Sequence, residues 1–180
     1  MTYYINQRNG PERPEEARVL LNLLLVPSVL FFYGLAGVGK TFTSSVVRSY
    51  TGWHVYEADN DLTPAMRKAI TLKQLFTQEM RDEFFTIIGR NIITLQRSHK
   101  NLIVTQAAYK QRNRDYLTDS VPGIEFVWVN ASDETIVERL RCRGNQITPE
   151  YATQMKLGFE PPAAGAKIII NDSDETRIIT

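Results

Sequence analysis

The chain has 180 residues, with 21 lysines and arginines against 20 aspartates and glutamates and a formal net charge of +1. That balance excludes the broad cationic field of a chain whose main partner is DNA, RNA or an anionic membrane. The single cysteine, Cys142, excludes an internal disulfide and fits a reducing cytosol, while a hydrophobic fraction of 43% is ordinary for one globular domain.

Residues 1–13 are polar, and Gly10-Pro11 breaks any regular element there, so they read as a loose arm ahead of one domain over 14–180. Residues 14–25 predict a short helix, with Pro14 in its first turn and Glu15 and Glu16 at its positive end. Its leucines leave two partners open, the domain itself or a second copy in a homodimer. The apolar stretch 19–33 is too short to span a bilayer and is interrupted by Asn22 and Pro27. It follows Glu12, Glu15 and Glu16, where a secretory signal would be basic. The expectation is a cytoplasmic protein.

Val29–Tyr33 is a buried-strand signal, and residues 34–41 after it read G-L-A-G-V-G-K-T, a complete phosphate-binding loop of the form G-x-x-x-x-G-K-[ST]. Gly34, Gly37 and Gly39 let the backbone curl. The amides of Gly34, Leu35, Ala36, Gly37, Val38, Gly39, Lys40, Thr41 and Phe42 can then point at phosphate oxygens. Lys40 supplies a compact positive charge between the β- and γ-phosphates of ATP, and Thr41 a hydroxyl for Mg²⁺. The helix predicted over 42–50 aims its positive end at the anion. A glycine-rich turn without a ligand is the bland alternative, which this strand–loop–helix setting disfavours.

Beyond the loop, strands are expected at His54–Glu57, 101–105, 124–129 and 167–170. Helices are expected over 76–99, where Phe84, Ile87, Ile88 and Ile92 recur at helical spacing, and over 133–141. Alternating strands and helices predict a three-layer α/β/α fold around a five-stranded parallel sheet, with ligands at the C-terminal ends of its strands.

The polar clusters lie just after those strands. Glu57-Ala58-Asp59-Asn60-Asp61 sets three carboxylates close together. A solvated turn would look similar, but behind a phosphate loop one carboxylate can orient Mg²⁺ and another can accept the proton of an attacking hydroxyl. Glu57 and Asp59 are the candidate metal-side groups. Asp59 is the preferred base, with Glu57 and Asp61 not separable from it by sequence. Arg139 and Arg143, four apart, share a helical face. Arg139 suits stacking on adenine and Arg143 a grip on phosphates at the start of a lid near 143–158, although a basic helix C-terminus is also favoured by the helix dipole. After the third strand, Lys110, Arg112 and Arg114 could bind an anionic acceptor or simply face solvent. No His/Cys/Asp spacing suggests a structural metal.

The order of elements resembles the small P-loop kinases, most closely the gluconokinases, with shikimate kinase more distant. The resemblance covers about residues 31–170. Tyr56-Glu57-Ala58-Asp59 with Leu62-Thr63-Pro64 is similar to the family's D-A-D-x-x-H-P, and Gln78-Glu79-Met80-Arg81 stands where it has D-x-D-R. The run from Ala108 to Asp115 resembles A-L-K-R-x-Y-R-D, with Gln106-Ala107 in place of a preceding C-S. Phe159-Glu160-Pro161-Pro162 resembles L-E-x-P.

The departures fall where an acceptor would bind: Glu57 for Asp, Thr63 for His, Gln78 and Met80 for the acidic pair. The resemblance implies an ATP- and Mg²⁺-dependent transfer of the γ-phosphoryl group to a hydroxyl of a small polar or anionic acceptor, a sugar acid such as gluconate first. Glu57, Asp59, Arg81, Gln106, Lys110 and Arg114 are the expected acceptor contacts. Two other readings stay open: a nucleoside or nucleotide kinase, and a nucleotide-binding regulatory module without acceptor chemistry.

Overall fold

The computed structural model describes residues 2–5, 28–144, 147–172 and 176–179. In chain order the elements are β1 (Thr2–Ile5), β2 (Val29–Tyr33), α1 (Lys40–Thr51), β3 (His54–Glu57), a single 3-10 turn (Ala58–Asp61), α2 (Pro64–Thr71) and α3 (Gln78–Gln96). They continue with β4 (Leu102–Gln106), α4 (Gln111–Ser120), β5 (Ile124–Asn130), α5 (Asp133–Arg143), α6 (Pro149–Lys156), β6 (Lys167–Asn171) and β7 (Thr176–Ile179). The helix expected over 14–25 lies outside the described residues.

One sheet runs β1-β7-β6-β5-β2-β4-β3. Strands β3, β4, β2, β5 and β6 are mutually parallel, as expected. Two further strands extend the β6 edge: β7 pairs antiparallel with β6, and β1 antiparallel with β7. Thr2–Ile5, read in sequence as part of a loose arm, is therefore a strand. Its four residues carry no alternating pattern long enough to announce themselves, and only the open edge beyond β6 gives them a ladder to join.

Every residue of β2 and of β4 is buried, which explains their uninterrupted apolar reading. Successive side chains of β2 alternate between faces. Leu30 and Phe32 pack with Val47 of α1 and Ile136 and Leu140 of α5. Val29, Phe31 and Tyr33 pack with Phe84, Ile88 and Ile92 of α3 and Leu117 of α4. Helices thus cover both faces, giving the three-layer α/β/α architecture. Among the described residues no helix is long and apolar enough to cross a membrane.

Helix α3 starts later than its apolar pattern suggested because Thr77 caps it, its hydroxyl accepting from Met80 N at 3.3 Å. Phe76, just outside, is left to line a cleft instead. Helix α2 was not anticipated from the sequence; Thr63 caps it in the same way, with Pro64 in its first turn. Strand β2 is flanked by β4 on one side and β5 on the other, so the strand order reverses direction beside it. The crevice at that reversal lies at the strands' C-terminal ends, where the phosphate loop emerges.

Candidate active site

The loop between β2 and α1 is held from below. Asn171, the last residue of β6, donates through Nδ2 to Val38 O at 2.8 Å. Arg139 of α5 donates through Nη1 to Val38 O at 3.3 Å and to Asn171 O at 2.9 Å. Two glycines are required by this packing. A Cβ on Gly34 would lie 2.1 Å from Val129 O, and one on Gly39, at φ +91°, would lie 2.0 Å from Asn171 Nδ2. Gly39 caps α1 without a side-chain bond, and no acidic residue sits in the first turn. The first amides of α1 are therefore disposed toward an anion.

Lys40 folds back onto its own loop, donating through Nζ to Gly34 O at 3.0 Å and Leu35 O at 2.9 Å. Burial is the main reason its pKa is pulled down to about 8. The charge on Arg143 adds to that, and Asp59 opposes it. Lys40, Arg143 and Asp59 thus share one electrostatic neighbourhood although they come from three separate elements.

A cleft of about 890 Å³ opens over the loop. Of the expected residues, Ala36, Gly37, Gly39, Lys40, Thr41, Phe42, Glu57, Asp59, Gln106, Arg139 and Arg143 line it. Gly34, Leu35 and Val38 lie beneath, buried in the body of the domain. Arg139 was expected to stack on a base; the contacts it makes here are with carbonyls of the loop and of Asn171.

The three carboxylates after β3 part company in the 3-10 turn. Asp59 Oδ1 accepts from Gln106 Nε2 at 2.8 Å, and Gln106 Oε1 in turn accepts from the Ala107 amide. Glu57 ends its strand exposed, at the cleft. Asp61 points the other way: its Oδ2 accepts from Tyr56 OH at 2.7 Å and from Asn91 Nδ2, on α3, at 2.8 Å. Burial, reinforced by the Asp61 carboxylate, pushes the Tyr56 phenol well up and keeps it a donor.

Two of the cations expected at the acceptor are turned aside. Lys110 pairs with Glu160 at 3.0 Å. Arg114, only 2% exposed, donates to Ala108 O at 2.7 Å and Glu160 O at 2.8 Å, with its guanidinium 4.9 Å from the Tyr33 ring centre. Together with Gln111 N, which donates to the Glu160 carboxylate at 2.7 Å, they anchor the segment after α6. Neither lines the cleft. Arg81 differs. Its guanidinium sits 5.6 Å from the Phe76 ring centre and 5.5 Å from that of Tyr109, and among the described residues it makes no hydrogen bond or ion pair.

Sequence reasoning missed Asn171, Tyr109, Phe76 and the apolar liners Leu62, Ile70, Ile147 and Met155. A signal existed for Asn171, a polar residue at the C-terminal end of a parallel strand. Tyr109 stood within a motif already singled out, between residues chosen for their charge. The expected lid includes α6, while Asn145 and Gln146 lie outside the described residues.

No family model matches the chain. It is 26% identical over 146 residues to a gluconokinase of Gluconobacter oxydans (strain 621H), covering 81% of this chain and 82% of that protein. Among solved structures, a gluconokinase from Sinorhizobium meliloti 1021 superposes with a TM-score of 0.70 at 22% identity, over 82% of this chain and 83% of that one. A sugar kinase from Janibacter sp. HTCC2649 gives 0.70 at 23% identity, over 80% and 84%. The chain is gluconokinase-like in sequence and has the fold of the small P-loop kinases.

Proposed function

We propose that this chain is an ATP-dependent phosphotransferase that moves the γ-phosphoryl group to a hydroxyl of a small anionic acceptor, with gluconate or a related sugar acid the first to test. One observation carries the reading: Asp59, held by Gln106, shares a single cleft with Lys40 and the free amides of α1. The cleft has room for a nucleotide and a small acceptor together.

The residues fit the groups they would hold. Glycines at 34 and 39 leave the loop without side chains where an added Cβ would collide with its support. Lys40 gives up two carbonyls in exchange for phosphate oxygens, which favour its charged form. Thr41, with Glu57 and Asp59, would hold Mg²⁺, which when bound neutralises phosphate charge.

Asp59 accepts the acceptor's proton. The hydroxyl oxygen forms a bond to the γ-phosphorus, the bond from that phosphorus to the β,γ-bridging oxygen breaks, and its electron pair leaves with ADP. The proton passes from Asp59 to solvent. Arg143 covers the transferring group from the lid side, and Arg139 keeps its planar face for adenine while its edge supports the loop. Most of the rate enhancement is positioning and charge stabilisation. A cytosolic location, where ATP and Mg²⁺ are supplied, accords with this reading.

The test is ADP release from ATP and Mg²⁺ across sugar acids, other hydroxy acids, sugars and nucleosides, with Lys40→Ala as control. Stimulation by an acceptor, lost in the variant, supports the reading. ATP binding with no stimulation by any acceptor overturns it in favour of a nucleotide-binding module.

A further inference from the structure

We propose that Tyr109 is an acceptor-contacting, specificity-determining residue, selecting with Arg81 a hydroxy acid of compact, largely apolar body over a polyhydroxylated chain. The proposal rests on the phosphotransferase reading, keeps its small anionic acceptor, and replaces the sugar acid as the preferred one.

Tyr109 follows β4 after Ala108, whose φ of +41° turns the chain sharply. It is 3% exposed yet lines the cleft. Its hydroxyl makes no hydrogen bond among the described residues, although the Ala36 amide of the phosphate loop faces it. Burial pushes the phenol up, so it stays protonated and able to donate. A buried donor left unmatched is costly. Here the unmatched donor belongs to a residue of the cleft wall and lies beside Ala36 of the phosphate loop.

Apolar side chains contribute much of the cleft's lining, among them Leu62, Ile70, Phe76 and Ala107. Of the polar side chains that join them, Gln106 is engaged at both ends of its amide, on Asp59 and on the Ala107 N–H. Arg81, half-buried, is not itself a lining residue, but its guanidinium lies against the rings of Phe76 and Tyr109, which are, and so stands one side chain back from an anion bound there.

The acceptor matching this wall places its anionic group at Arg81, a hydrogen-bond-accepting oxygen at Tyr109 OH and its reacting hydroxyl at Asp59. The carbon body lies on Leu62, Ile70 and Phe76. A chain with a hydroxyl on each carbon would press several of them against apolar side chains without partners, which a site of this kind discriminates against. The transfer follows the bond changes given above.

The experiment measures kcat and KM of the full chain with MgATP for gluconate and for cis-4-hydroxycyclohexanecarboxylate, in the wild type, Tyr109→Phe and Tyr109→Leu. Thermal melting checks that each variant is folded, and Tyr109→Phe keeps the ring packing if the leucine variant does not fold. The expected result is a kcat/KM at least about tenfold higher for the cyclic hydroxy acid. Tyr109→Phe should lower that value about tenfold, mainly through KM, with the KM for ATP unchanged.

Better turnover of gluconate in the wild type, or a Tyr109→Phe variant with unchanged constants for every acceptor, overturns this proposal while leaving the phosphotransferase reading intact. ATP binding without turnover of any acceptor overturns both.

Discussion

Gln106 Nε2 donates to Asp59 Oδ1 at 2.8 Å, joining the end of β4 to the turn after β3 across 47 residues of chain. The bond fixes Asp59 at the cleft while the glutamine is itself fixed by the Ala107 amide. Groups that orient a reacting carboxylate in this way typically matter by about 10–100-fold. Gln106→Ala is therefore expected to lower kcat by about tenfold or more and leave ATP affinity within about twofold, measured by steady-state kinetics alongside equilibrium ATP binding.

Asp59 and Asp61 should separate cleanly. Asp59→Asn retains the shape and removes the proton acceptor. Turnover should fall by about 10²–10⁴-fold with nucleotide affinity little changed. If turnover survives, Glu57 or Asp61 is the base.

Asp61→Ala, by contrast, strips Tyr56 OH and Asn91 Nδ2 of their shared acceptor. A loss of about 1–3 kcal/mol in stability is expected, seen as a lower unfolding midpoint, with turnover per folded molecule retained. A large loss of kcat at unchanged stability would reverse the assignment of the two carboxylates.

The depressed Lys40 gives nucleotide binding a pH dependence. Its pKa of about 8 in the free protein lies below the ordinary 10.5, because burial disfavours the ammonium. Phosphate favours the ammonium, so binding takes up a proton above that pH. ATP affinity should be level below about pH 8 and weaken as pH rises through it, by up to about tenfold per unit. The folded protein itself gains stability over the same rise, since between about 8 and 10.5 the unfolded chain holds the proton that the folded one has lost. Titrations of ATP binding from neutral to alkaline pH check this, and Lys40→Met should remove the dependence along with most of the affinity.

Gly39→Ala tests the loop's support. The new methyl would fall 2.0 Å from Asn171 Nδ2 at a φ of +91°. Either the loop or Asn171 must move, and the Asn171–Val38 bond is lost. ATP binding should drop by more than about tenfold while the far-ultraviolet circular dichroism spectrum stays that of the wild type.

The phosphate loop, the five parallel strands and the three layers were set by sequence alone, because each is a local signal: a contiguous motif, or a run of apolar side chains whose period reports burial. Lys40, Thr41, Glu57 and Asp59 were candidates from sequence alone, and the fold gathers them at one cleft.

Direction was settled only by tertiary structure. Asp59 and Asp61 are two residues apart in one polar run, and what sends one to the cleft and the other to α3 is a partner 30 or 47 residues away. Arg114 looks like any surface cation in sequence, yet carbonyls of Ala108 and Glu160 and the ring of Tyr33 enclose it. Tyr109 reads as an aromatic among charges, and only the fold makes it part of the cleft wall. Strands β1 and β7 lie at opposite ends of the chain and exist only as each other's neighbours beside β6. A side chain's composition is local, whereas its hydrogen-bond partner is chosen by the fold.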